Sequence, residues 1–315
     1  MNFGCVLANR GALATPESLR TLAILAKRVG FDSVWVSDHI VVPDEYSSKY
    51  PYSDDGIAPF AGDLPYCEPL TTLSYLAGST QRIKLGTHVL VVPYRNPVHT
   101  AKIVSTLDYL SGGRVVLGVG VGWLEEEFRA VGQPFFSERG ALTDEYIRIF
   151  KELWTKEDPV FEGQYYQVSG IKFQPKPVQK PHVPIWVGGQ VDAAIRRAAR
   201  LGDAWLPIGL RGPAGLEPDE LKQKVALLKT TAEKAGRDPN SVGVSFSTDL
   251  TFGGTSGRDR KLFSGDAEAI AEDIHTYRDP GVSYFLFSFR SGTLGEITES
   301  IERFAREVMP LVPEG

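Results

Sequence analysis

Four places in this chain carry side chains whose type and spacing suit chemistry. Asp38-His39 closes a short apolar run, and a histidine is the side chain most easily poised for proton transfer near neutrality. An adjacent aspartate can fix that histidine or contact a ligand; the plain alternative is a capping aspartate beside a structural histidine. His88 lies inside a second apolar run with Thr87 and Val89, just ahead of Pro93, and reads either as a core histidine or as part of a site. Gly118, Gly120 and Gly122 alternate before Trp123 and the run Glu125, Glu126, Glu127. Glycines so placed let a flat ring approach the backbone, or mark a bulge or tight turn that holds no ligand. The glutamates suit a solvated helix start, since the helix dipole favours acids there. The fourth place is Gly188-Gly189-Gln190, between an apolar run and a helical pattern. Free N–H groups and the dipole would favour an anion there, and a tight turn is the simpler reading.

Each of these places lies at the end of a strand pattern. Apolar runs fall at 3–8, 33–37, 83–92, 115–119, 184–187, 203–208, 242–250 and 282–289. A helical pattern follows each. Thr15-Pro16-Glu17 supplies a cap, a first-turn proline and an early acid for the first helix, and further helices are expected at 68–79, 98–110, 137–154, 191–201, 217–235, 266–277 and 294–309. Eight strand–helix units predict an α/β protein, a (β/α)8 TIM barrel with insertions, as a single domain over 1–315. Barrels of this kind carry their chemistry beyond the carboxyl ends of the strands, where all four places fall. Two insertions stand out. Residues 41–68 form a long connection rich in Tyr, Pro, Ser and Asp, and connections of that length are usually functional. Residues 160–168 read as a small hairpin, followed by Pro175, Pro177, Pro181 and Pro184, which force an extended path.

Bulk composition removes several classes of function. With 42% hydrophobic residues, 23% charged residues and a net charge of -5, the chain is an ordinary globular protein without a field favouring nucleic acid or membrane. No apolar run approaches the roughly 20 residues of a membrane helix, and the start of the chain reads as a strand, not a signal sequence. A soluble cytoplasmic protein is expected. Cys5 and Cys67 form no disulfide framework, and Cys5 is expected to be buried. His39, His88, His99, His182 and His275 show no metal-ligand spacing. The glycines at 118–122 miss the dinucleotide fingerprint because Trp123 stands where its third glycine belongs.

Taken together, VWVSDH at 34–39, LGTHVLVVPYRNP at 85–97, LDYLSGGRVVLGVGVGWLEEEF at 107–128, PIWVGG at 184–189 and GDAWLP at 202–207 resemble the luciferase-like monooxygenase superfamily, and most closely its branch of coenzyme F420-dependent oxidoreductases. The resemblance spans nearly the whole chain. It implies a luciferase-like barrel, often homodimeric, that binds F420 or FMN at the carboxyl ends of the strands and acts on a small organic substrate. By this likeness Asp38 and His39 lie at the ring, with His39 supplying or taking a proton; Thr87, His88 and Val89 lie behind the ring, with a non-proline cis peptide at His88–Val89. Gly120, Gly122, Trp123 and Glu126 contribute from the next loop, and Gly188, Gly189 and Gln190 sit by the ring or its phosphate tail. The aromatic 41–68 loop would form a lid, and Arg95, Lys172, Lys176 and Arg211 are candidates to meet an anionic tail. Some sugar-phosphate dehydrogenases of the family carry a catalytic glutamate where this chain has Trp123, a departure that favours a less polar substrate. The implied function is hydride transfer between F420 and an organic substrate. The alternatives are an FMN monooxygenase fed by a partner reductase and a cofactor-binding barrel without turnover.

Overall fold

The computed structural model describes residues 1–60, 62–209, 213, 215–253 and 260–313. The first two units are β1 (Asn2–Val6) with α1 (Pro16–Arg28) and β2 (Ser33–Val36) with α2 (Pro69–Ser79). Both helices begin as their sequences dictate. The Thr15 hydroxyl accepts from Ser18 N and the Glu68 carboxylate from Thr71 N, each followed by a proline whose missing N–H costs nothing in the first turn. The third unit is β3 (Lys84–Thr87), β4 (Leu90–Val91) and α3 (Pro97–Ser111), capped by Asn96 at its start and by Gly112 at φ 72° at its end. Then come β5 (Val115–Gly120), the short α4 (Glu125–Ala130) and α5 (Arg139–Thr155). An antiparallel hairpin, β6 (Phe161–Glu162) and β7 (Gln167–Val168), precedes β8 (Ile185–Gly188) and α6 (Asp192–Leu201). The chain continues through β9 (Ala204–Leu206), α7 (Pro218–Lys234), β10 (Gly243–Phe252), a short β11 (Ser264–Gly265), α8 (Ala267–Arg278), β12 (Tyr284–Phe289) and α9 (Leu294–Arg303).

The strands close on one another. Parallel pairing runs β1–β2–β3–β5–β8–β9–β10–β12 and back to β1, an eight-stranded barrel ringed by helices. Strands buried on both faces need no polar alternation, which is why SVWV in β2, VVLGVG in β5 and YFLFSF in β12 are buried throughout. The outward side chains join the helices in one large core. A smaller cluster of Trp35, Val116, Leu206, Tyr284 and Leu286, with Val89 and Trp186 packed against it, fills the barrel interior.

Two expectations are revised. The helix from Leu294 ends at Arg303 and passes into a π turn and a 3-10 turn up to Leu311. The second revision matters more: the apolar run 83–92 is not one strand. Gly86 pairs with Val116 and Leu90 with Val119, so Thr87, His88 and Val89 stand opposite Leu117 and Gly118 alone. One extra residue makes a bulge, and the His88–Val89 peptide within it is cis, as expected. The glycines of β5 and β8 make room for this bulge. A Cβ on Gly118 would lie 1.9 Å from the Thr87 carbonyl oxygen, one on Gly120 would lie 2.6 Å from a Val89 methyl, and one on Gly188 would lie 2.9 Å from the other.

Those clearances generate a test. Gly118→Ala drives a methyl into backbone that cannot retreat, and should cost about 1–3 kcal/mol or more. Gly78→Ala, on the exposed side of α2 with nothing near its Cβ, should be neutral or stabilising by up to about 1 kcal/mol. Urea midpoints of the two variants beside the parent measure both. Equal midpoints would remove the bulge as the reason for Gly118.

Candidate functional site

Beyond the carboxyl ends of the barrel strands lies a cavity of about 1360 Å³. It is lined by Asp38, His39, His88, Val89, Gly120, Gly122, Trp123, Gly188, Gly189 and Gln190, so ten of the sequence-picked positions meet there. Thr87 and Glu126 do not line it. Thr87 is buried, its hydroxyl donating to Gly118 O at 2.6 Å, and it acts as backing for the bulge.

Asp38 secures that bulge. Its Oδ2 accepts from Val91 N at 2.8 Å and from Arg95 Nη1 at 2.7 Å, and its Oδ1 accepts from Arg95 Nη2 at 2.8 Å. Burial pushes the Asp38 carboxyl up, against the pull of the Arg95 guanidinium. Burial also opposes the charge on Arg95, but Asp38 and Glu68 more than offset it and its pKa rises. Glu68 Oε1 accepts from Arg95 Nη2 at 2.9 Å while its other oxygen caps α2. One bidentate guanidinium thus joins the end of β2, the strand after the bulge and the end of the 41–68 segment. Arg95 is committed to two carboxylates and does not line the cavity, which corrects its reading as a cofactor-tail residue. Lys172 pairs with Asp158, and Lys176 donates to the carbonyls of Leu153 and Lys156; neither lines the cavity. Arg211 lies outside the described residues.

The partner of His39 is neither Asp38 nor Glu126. It is Glu127, fully buried, whose Oε2 lies 2.5 Å from His39 Nδ1. Glu127 also accepts from Ile40 N at 2.6 Å, Val41 N at 3.2 Å and the Tyr94 hydroxyl at 2.8 Å. A carboxylate has about four acceptor sites, so Glu127 is saturated with donors and His39 must present Nδ1–H to it. That fixes the ring and its tautomer and leaves Nε2 as the nitrogen that could take up a proton. Burial and the adjoining Glu127 charge push the Tyr94 phenol up, which keeps it a donor. Helical spacing marks Glu127 in the sequence. Three residues after Leu124 and one before Phe128, both fully buried, it belongs to the inner face of α4.

Glu126 holds the lid. Its Oε1 accepts from Ser47 N at 2.8 Å and Ser47 Oγ at 2.9 Å, while Ser48 Oγ accepts from Glu125 N at 3.0 Å. Burial works against its charge, yet the bonds from Ser47 and Ser48 prevail and bring its carboxyl down to about 2. The tethered segment lays its aromatic side chains over the imidazole. Phe60 and Tyr66 lie 4.9 and 5.3 Å from His39 between ring centres, and Tyr50 packs 5.2 Å from Trp123. The Tyr66 hydroxyl donates to Ser37 Oγ, which donates to Asn9, so it serves the lid and not the chemistry.

Across the mouth, Gly189 at φ 100° turns the chain into α6, whose first residues line the cavity. Arg139, Arg197 and Lys224 line the cavity too, and the first donates to the Gly122 carbonyl at 3.1 Å. A helix N-terminus with three cations near it suits an anion. Cys5 also lines the cavity, buried, its thiol pushed up to about 12 by burial and thus held protonated.

The chain has relatives in sequence and in fold. The family model described as luciferase-like monooxygenase matches residues 1–256. An uncharacterized protein of Mycobacterium tuberculosis is 33% identical over 299 residues, covering 92% of this chain and 94% of its own. A protein of Amycolatopsis mediterranei named F420-dependent glucose-6-phosphate dehydrogenase is 35% identical over 226 residues, covering 71% of this chain and 62% of its own. The solved structure of an F420-dependent secondary alcohol dehydrogenase with an F420–acetone adduct superposes with a TM-score of 0.76 over 99% of both chains, at 20% identity, a likeness of fold.

The Glu126 clasp makes a prediction. A carboxyl lowered on folding stabilises its contact above the ordinary value near 4.5 and loses that contribution as pH falls toward about 2. Proteolytic cleavage within 41–68 should therefore accelerate as pH drops through that window. Glu126→Ala should cleave fast already at neutral pH and lose the dependence, whereas an unchanged rate would show that the lid does not rely on the clasp.

Proposed function

This chain belongs to the luciferase-like monooxygenase family, and from that premise we propose that it is an F420-dependent oxidoreductase, a single barrel domain over 1–315 acting on a small organic substrate. The observation that carries the reading is the pairing, in one cavity, of an imidazole oriented by a buried carboxylate with a glycine-lined bulge and, opposite, a helix N-terminus with nearby cations. The names of relatives such as the Amycolatopsis dehydrogenase support the choice of F420.

The cavity suits such a cofactor on its own terms. Val89, held forward by the bulge, gives a flat ring an apolar wall, and Gly120 and Gly122 beside it present backbone without side chains. Asp38, Thr87 and the glycines keep that wall in place. The N–H groups at the start of α6, with Arg139, Arg197 and Lys224, would hold the anionic tail, and Gln190 lies beside them. When bound, F420 supplies hydride transfer at its deazaflavin ring. The protein's part is position, proton and dryness. His39 Nε2 gives a proton to, or takes one from, the reacting substrate atom, while Glu127 stabilises the imidazolium. Tyr50, Phe60 and Trp123 exclude water. Trp123 in place of a glutamate turns this box toward a less polar substrate than a sugar phosphate.

Titration with F420 and with FMN, each followed by fluorescence, tests the cofactor; tight FMN binding without an F420 response would replace this reading with the flavin-dependent one. His39→Asn tests the proton. Asn can still donate one hydrogen bond to Glu127 but cannot titrate, so single-turnover hydride transfer should fall by roughly 10²–10⁴ with F420 affinity and melting temperature nearly kept. Asp38→Ala should instead loosen the bulge, weakening F420 binding and lowering stability together. Unchanged single-turnover rate in His39→Asn would end its candidacy.

A further inference from the structure

Five cationic side chains line the cavity, and four have polar partners. Arg139 donates to the carbonyls of Gly122 and Phe136, Arg197 pairs with Asp144, Lys224 with Glu220, and Arg290 with Asp249. Arg10 differs. Among the described residues its guanidinium has neither a hydrogen bond nor an ion pair; it lies over the face of Phe60, 4.9 Å from the ring centre, with its charge felt at the Tyr66 phenol. Phe60 also lies 4.9 Å from the His39 ring, so the lid's phenylalanine touches both guanidinium and imidazole. The position is fixed by backbone, since Arg10 forms an antiparallel bridge with Tyr66, and Gly11 N donates to Pro65 O.

Topology separates this cation from the proposed tail site. Arg10 follows β1, and the α6 N-terminus follows β8. Between those strands stand β2, β3 and β5 on one side of the barrel and β9, β10 and β12 on the other. The two are on opposite sides of the mouth. An anion held at α6 leaves Arg10 unclaimed, next to the aromatic box of Tyr50, Phe60 and Trp123.

We propose that Arg10 is the specificity-determining residue of a substrate subsite, and that the substrate is an organic monoanion, a carboxylate on an apolar or aromatic body. The inference rests on the cofactor occupying the α6 side as described above. A planar guanidinium offers two parallel N–H donors that match a carboxylate. Its present place over an aromatic face engages the charge and leaves the N–H donors to a carboxylate. One guanidinium neutralises one charge, and the apolar body then fills the box, bringing its reacting atom toward His39.

The test uses benzoate, phenylacetate and isovalerate against their neutral amides, on the full chain with and without F420, read by quenching of tryptophan fluorescence. At least one acid should bind about tenfold or more tighter than its amide. Arg10→Gln should erase that preference and leave F420 affinity within about twofold; Arg10→Lys, which keeps the charge and loses the fork, should fall between and serves if the glutamine variant does not fold. No preference for any acid in the parent, whether through equal binding or none, overturns the proposal. So does a loss of F420 affinity in Arg10→Gln with the preference intact, which would assign Arg10 to the cofactor tail. Acid preference without F420 binding by the parent would keep the subsite and defeat the cofactor reading instead.

Discussion

The site depends on one steric constraint, the accommodation of an extra residue where β3 meets β4. The bulge turns Val89 toward the barrel axis, against the interior cluster of Trp35 and Val116. That space exists only because Gly118, Gly120 and Gly188 on the neighbouring strands have no Cβ. The interior is close-packed, so a methyl on Gly118 meets backbone that cannot retreat, and methyls on Gly120 and Gly188 would press on the Val89 side chain and displace it. The floor of the cavity, the forward placement of Val89 and the break in the strand are three consequences of the same packing.

Electrostatics then fixes what sterics permits. Three carboxylates beside one another divide the work by what surrounds them. Asp38 spends both oxygens on Val91 N and Arg95, and so pins the strand after the bulge. Glu127, saturated by four donors, orients His39. Glu126, one residue away on the other side of α4, faces the 41–68 segment and closes it. A helix turns by 100° per residue, so neighbouring glutamates can serve the interior and the lid without competing. Buried charges of this kind hold only while every partner is present.

The lid and the imidazole form one assembly. Phe60 and Tyr66 cover His39, Tyr50 and Tyr46 pack on Trp123, and the clasp and the Arg95–Glu68 pair fasten the two ends of the segment. Aromatic walls exclude water and strengthen every charge interaction within. This explains why an otherwise structureless connection of such length is kept in a compact barrel.

Sequence alone determined the barrel and the face that carries the site. Buried parallel strands read as apolar runs, helices announce themselves by caps such as Thr15-Pro16 and Asn96-Pro97, and strand ends are where such folds act. Asp38, His39, His88, Trp123 and the glycine pairs were legible because each closes or interrupts a strand. What sequence did not decide was which of them touch. Glu127 meets His39 across 88 positions, and Arg95 meets Asp38 across 57. Val89 meets glycines on two other strands. The alternating glycines fit a ligand or a bulge in one dimension, and only the fold shows that Gly118 and Gly120 make room for the bulge while Gly122 faces Val91 and Phe128. Local periodicity records a residue's own face and burial. Partnership is a property of strand order and closure, and those exist only once the chain has folded.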